Sequence, residues 1–147
     1  MRRAVEHLVE RGYTRLAHLE GPPNNFDADR RRESFLAAVA QHRNVTGKII
    51  HECWNEEMAY WRMVELLKED RHGCNGYIAF NDGIAIGVLR ALREAGVPTP
   101  GEAAVVGWDD SRFAGFAELT TVNVPMSDIG RQAAVLLYNQ ILSLIHI

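Results

Sequence analysis

Two cysteines, Cys53 and Cys74, are the whole thiol content of the 147-residue chain, with no CxxC pair and no histidine at zinc-ligand spacing. Reduced thiols are therefore expected in place of a disulfide framework or a zinc site. Lysine is as scarce, with Lys48 and Lys68 the only two. That scarcity disfavours a receiver-like phosphorylation domain, which needs a lysine at a late strand end near its paired aspartates. No apolar run approaches membrane-spanning length, and no signal peptide opens the chain. An excess of positive charge is also lacking: the net charge of -3 gives this piece no electrostatic drive toward nucleic acid. The six histidines form no HExxH or paired arrangement, so no metal site is expected. A nucleophile elbow, a phosphate-binding glycine loop and a GxGxxG fingerprint are missing too. After the first strand, where a dinucleotide fingerprint would fall, stands Gly21-Pro22-Pro23. Cofactor and catalytic readings both weaken, and none is adopted.

What is there reads as one α/β domain of ordinary soluble composition, 47% hydrophobic and 24% charged, long enough for a core without disulfides. Its organising stretch is Gly76 to Asp110. Tyr77-Ile78-Ala79-Phe80 is an apolar run without alternation, as in a strand buried on both faces. Asn81-Asp82 ends it, and Asp82 can cap the next helix. Ile84, Val88, Leu92 and Ala95 share one face of that helix, while Arg90, Arg93 and Glu94 point away. Gly96 suits a left-handed C-terminal cap, and Pro98 and Pro100 forbid continuation. The run Ala103 to Val106 then leads through Gly107-Trp108 to Asp109-Asp110. This is a βαβ unit with parallel strands, and the fold class it implies is α/β with a doubly wound parallel sheet.

The remaining chain repeats the pattern. Residues 3 to 11 form a helix with Ala4, Val5, Leu8 and Val9 on one face; a helix with no strand before it suggests a domain entered part-way. Leu16 to Leu19 is the first strand, followed by a loop at Gly21 to Asn25. Asp27 or Asp29 can cap a helix over about 29 to 41, whose stripe includes Phe35 and Val39. Four residues before Phe35, on the same stripe, stands Arg31, an unusual place for a charge. Residues 48 to 53 make the second strand, ending at Trp54. Asn55 can cap a helix with Tyr60, Met63, Val64 and Leu67 on its buried stripe and Trp61 off it. After an irregular segment, 111 to 118, Leu119 to Val124 is extended and stops at Pro125. Ser127 can cap a last helix carrying Ile129, Ala133, Leu136 and Leu137. Residues 142 to 147 resemble a translated sequencing adaptor and are read as a non-native tail.

Strands ending at Gly21, Trp54, Asn81 and Asp109, about 30 residues apart, are spaced as βαβ units are. In a parallel sheet these ends share the edge where open α/β folds bind ligands. Arg31, Trp54, Asn81 and Asp109 would then converge: a cation fork, an aromatic face, an amide and a carboxylate. Such groups suit a polyhydroxylated small molecule. Each has a plainer alternative. Arg31 could pair with Asp27 or Glu33, Trp54 could be packing, and Asn81-Asp82 could be only a turn and cap. Asp109 and Asp110 could be solvated, or bind magnesium, though no third carboxylate is placed to complete such a site. Met58 and Trp61 could be interface or core.

The segments AVEHLVERGYTRLAHLEGPPNN, RRESF, AFNDGIAIGVLRALREAGV, VVGWDD and LTTVNVP, in this order, resemble the effector-binding core of LacI/GalR-type bacterial transcription regulators. The resemblance spans about residues 3 to 141. It implies a periplasmic-binding-protein type I fold of two α/β lobes with effector between them. Residues 1 to 141 would be most of the C-terminal lobe, with the N-terminal lobe and a DNA-binding helix-turn-helix missing upstream. Leu119 to Pro125 would return toward the N-terminal lobe. Position by position, Arg31 and Asp109 match the family's hydroxyl-binding arginine and aspartate, Trp54 its pocket aromatic, and Asn81 its pocket amide. The family further implies a cytoplasmic, sugar-responsive homodimer that reaches operator DNA only through the missing domain. Ser34, Val124 and Trp108 depart from the usual glycine, glutamine and smaller aromatic, and Val124 puts effector identity in question. A periplasmic sugar-binding protein of a transporter is the alternative, and an α/β enzyme a third class.

Overall fold

In the computed structural model, which describes residues 1–144, five parallel strands form one sheet in the order β2-β1-β3-β4-β5. The strands are β1 (Arg15–Leu19), β2 (Thr46–Ile50), β3 (Gly76–Ala79), β4 (Ala104–Asp109) and β5 (Thr120–Asn123). Between and around them run α1 (Arg2–Glu10), α2 (Phe26–Val39), α3 (Glu56–Glu69), α4 (Asp82–Glu94), α5 (Arg112–Phe116) and α6 (Met126–Leu144).

Period-two geometry divides the strand residues between two apolar layers. Leu16, Ile78 and Val106 face α1 and α2, where they meet Val5, Leu8, Phe35 and Val39. Ala17, Leu19, Tyr77, Ala79 and Val105 face α3 and α4, packing with Met63, Ile84, Val88 and Leu92. Both faces being covered explains why the central strands lack polar alternation. The expected doubly wound parallel sheet is the observed one.

Several local expectations change. Asn25, not Asp27 or Asp29, caps α2, its side chain accepting from the Ala28 amide at 3.0 Å. The helix therefore starts at Phe26, and both aspartates fall in its first turn, beside the positive end of its dipole. The second strand stops at Ile50, and Trp54 lies in the loop beyond it. Asn55 caps α3 as expected, at 2.9 Å from the Met58 amide. Gly96 closes α4 in the left-handed region at φ 66°. Part of the segment read as irregular is the short helix α5. Ser127 lies inside α6, after its first residue, so it is not the cap. Ile129, Ala133, Leu136 and Leu137 are all exposed, because α6 does not lie on the sheet. Of the suspected tail, residues 142–144 continue α6 and the rest lies outside the described residues.

Candidate functional site

The chain leaves β1 toward β2, then places β3 on the other side of β1, so the winding reverses between β1 and β3. A crevice outside the carboxyl ends of the strands at that reversal is where doubly wound sheets bind ligands. Arg31 bridges it. The residue sits on α2, after β1, and its Nη1 donates to the carbonyl oxygen of Phe80, just past β3. Its Cζ lies 4.4 Å from the centre of the Phe80 ring and 4.5 Å from that of Trp108. Cation–π attraction to two rings explains how a charge can occupy the core-facing stripe four residues before buried Phe35. With aromatic carbon on its faces, the guanidinium keeps its in-plane N–H groups for a partner.

Asp109 ends β4, and its field raises the Arg31 pKa against the larger effect of burial, which lowers it. Burial likewise pushes the Asp109 carboxyl above the usual carboxylate range; Arg31 pulls it down and Asp82 adds to the rise. The two residues are thus electrostatic neighbours, yet no ion pair joins them among the described residues. Pairing of Arg31 with Glu33 is not what forms either, since Glu33 meets Arg30 at 3.4 Å. A cation and a carboxylate, each with unspent polar atoms, therefore face one edge.

The cap expected of Asp82 is made by Asn81. The Asn81 side chain caps α4, accepting from the Ile84 amide at 2.9 Å, so its carbonyl oxygen is committed and its amide nitrogen remains. Asp82 is 2% exposed and accepts from Ser111 N at 2.7 Å and from Thr121 Oγ1 at 2.6 Å. Trp54 is 46% exposed, and the surface depression around it is lined by Glu52, Asn55, Met58 and Trp61 and by none of Arg31, Asn81 or Asp109. The structure thus sets Arg31 against Phe80, the residue before Asn81, and within the field of Asp109, and leaves Trp54 in the loop after β2 beside a separate depression. Met58 and Trp61 belong to that outer depression and not to the core. Phe80, Trp108 and Thr121 were missed as site residues. The charge at Arg31 was the available signal that aromatic or acidic partners must lie above the strand ends.

Two residues in this region have positive φ without being glycine: Asp109 at 107° and Asp110 at 54°. No group of histidine, cysteine or acidic side chains among the described residues could hold a metal ion. No described helix is long and apolar enough to cross a membrane.

Comparison with known proteins agrees with this architecture. Residues 5–143 match the model of a family described as a periplasmic binding protein-like domain. The HTH-type transcriptional regulator reg1 of Streptomyces lividans is 31% identical over 147 residues, covering 94% of this chain and 42% of that protein. The ribose operon repressor of Escherichia coli K12 is 30% identical over 149 residues, covering 94% and 43%. Among solved structures, a LacI-family transcriptional regulatory protein from Corynebacterium glutamicum superposes with a TM-score of 0.83 at 30% identity, covering 95% of this chain and 56% of that one. The chain thus spans about two-fifths of the length of these two curated relatives.

Proposed function

The chain belongs to the family of periplasmic binding protein-like domains, and on that premise we propose that it is the effector-sensing C-terminal lobe of a sugar-responsive bacterial transcription regulator of the LacI/GalR type. The observation that carries the reading is the pair Arg31 and Asp109, electrostatically coupled across the strand ends without forming an ion pair. An arginine donates only and an ionised aspartate accepts only, so neighbouring hydroxyls of one sugar satisfy both. Asn81 offers its remaining amide donors. Trp54 would cover an apolar sugar face when a second lobe closes over this edge. The role is binding, not catalysis. The exposed α6 supports the view that the chain leaves this lobe after β5 toward a partner lobe.

In the full-length regulator, effector between the lobes favours one lobe arrangement and thereby changes the spacing of the DNA-binding heads of a homodimer. The change is bounded by the effector's differential affinity for the two states. Isothermal titration of the full-length protein with D-ribose, L-arabinose, D-galactose, D-glucose, maltose and cellobiose tests the assignment. Binding of at least one sugar is expected, weakened about tenfold to a hundredfold by Arg31→Ala or Asp109→Ala, the effect of losing one charged hydrogen bond. Undiminished binding in both variants would sink the site, and binding of none of the sugars would sink the sugar reading.

A further inference from the structure

Asp82 is buried and acidic, and among the described residues it has no cationic partner. Capping does not explain it, because Asn81 already caps α4. A buried carboxylate persists only where donors satisfy it, and both donors here come from elsewhere in the chain. Oδ2 takes the Ser111 amide at 2.7 Å and Oδ1 takes the Thr121 hydroxyl at 2.6 Å. Thr121 Oγ1 in turn accepts from the Asp110 amide at 3.2 Å, and Asn123 Nδ2 donates to Asp110 Oδ2 at 2.7 Å. Gly107 lies directly beneath, where a β-carbon would collide with Asp82 Oδ1 and Leu119.

Three of these four hydrogen bonds end on the turn Asp109–Ser111, and the fourth joins Thr121 to Asp82. Consecutive non-glycine residues at positive φ are strained, and such strain persists only where the surroundings over-determine it. Here the amides of Asp110 and Ser111 are both held by a network whose centre is the Asp82 carboxylate. Asp109 enters the turn from β4 at φ 107°, so its side-chain direction depends on the residues that follow.

We propose that Asp82, acting through Thr121 and Ser111, is a positioning residue that locks the Asp109–Ser111 turn so that the Asp109 carboxylate stands beside Arg31. The inference rests on the reading of Asp109 as a sugar ligand, and it also ties that ligand to β5, the strand from which the chain departs.

The test compares Thr121→Val, Thr121→Ser and Asp82→Asn in the full-length protein, with Asp109→Ala as reference. Residue-resolved hydrogen–deuterium exchange is read at Asp110 and Ser111, and affinity for the same sugars by titration. Thr121→Val keeps the side-chain volume and removes the hydroxyl, so the fold is retained even where Asp82→Asn proves too disruptive. Exchange at the Asp110 and Ser111 amides should rise at least about tenfold, with the amides of β1 and β3 unchanged, and sugar affinity should fall about tenfold. Thr121→Ser restores the hydroxyl and both readouts, which a purely packing role for the threonine would not do. Unchanged exchange in Thr121→Val overturns the lock. Faster exchange with unchanged affinity, while Asp109→Ala weakens binding, overturns the positioning role and leaves the sugar site standing. An Asp109→Ala variant that binds sugar as the wild type does removes the reading beneath the proposal, and the proposal with it.

Discussion

Arg31 donates a hydrogen bond to the carbonyl of Phe80 and so joins the helix after β1 to the end of β3, the two elements between which the winding of the sheet reverses. The position of its charge is a property of two aromatic rings as much as of that bond. Trp108 covers the guanidinium at 4.5 Å, which in a partly buried setting is worth roughly 1–2 kcal/mol. Trp108→Ala in the full-length protein should weaken sugar binding about tenfold, less than Arg31→Ala does, and Trp108→Phe should stay within about threefold of wild type. Calorimetric titration decides; an alanine variant with wild-type affinity would show that the ring is packing alone.

His18 makes the fold sensitive to acid. It is fully buried in β1, its ring 5.6 Å from Phe35, and Nδ1 lies 2.9 Å from the Ile78 carbonyl oxygen. Since a carbonyl only accepts, Nδ1 carries the proton, and Nε2 is left without a partner among the described residues. Burial, the largest influence, lowers the pKa from 6.5 to about 4. The unfolded chain therefore takes up this proton first as pH falls. The contribution of His18 to stability is complete above about 6.5 and is lost progressively as pH falls toward 4, by about 3 kcal/mol in all. Over that window the urea-unfolding free energy of the wild type should fall relative to that of His18→Leu. A difference independent of pH would contradict it.

Gly87 sets how closely α3 and α4 approach. A β-carbon there would collide with the Glu56 carbonyl oxygen and lie 3.1 Å from the Tyr60 amide nitrogen, both backbone atoms of the neighbouring helix. Backbone cannot swing aside as a side chain does. Gly87→Ala should therefore destabilise by about 1–3 kcal/mol, despite the higher helix propensity of alanine. Urea denaturation measures it, and a neutral or stabilised variant would mean that the helices can part without loss.

These features differ in how far the sequence discloses them. The unit from β3 through α4 to β4 was legible because strand burial, the α4 stripe and the Gly96 stop are all local patterns. Caps were less so. Asn25, Asp27 and Asp29 are all competent residues, and which one caps depends on where the backbone turns, a matter of one or two positions. For the same reason Asn81 took the cap expected of Asp82, whose donors lie 29 and 39 residues away in sequence. The apolar residues of α6 carry no label saying whether their partner lies within the chain. Arg31 and Asp109 could be picked out from strand ends alone, whereas Phe80 and Trp108 looked like ordinary strand aromatics. Nothing in their spacing tells that both would stack on one guanidinium.

Both thiols should be silent in the native protein. Cys53 and Cys74 are buried, and burial pushes the Cys53 thiol up to about 12 and raises Cys74 as well. Thiolate is the reactive form, so at pH 8 neither should react with a disulfide reagent until the chain unfolds, when both should react. Fast labelling of a folded chain at Cys53 would indicate that the loop before Trp54 opens.

The most direct measurement is a crystal structure of the full-length protein with whichever tested sugar binds it. Adjacent hydroxyls of one ring should lie within hydrogen-bonding distance of an Arg31 N–H and an Asp109 carboxylate oxygen, with the Trp54 indole against an apolar face of the sugar. A sugar bound away from the strand ends, or bound there with Arg31 still spent only on Phe80, would contradict it.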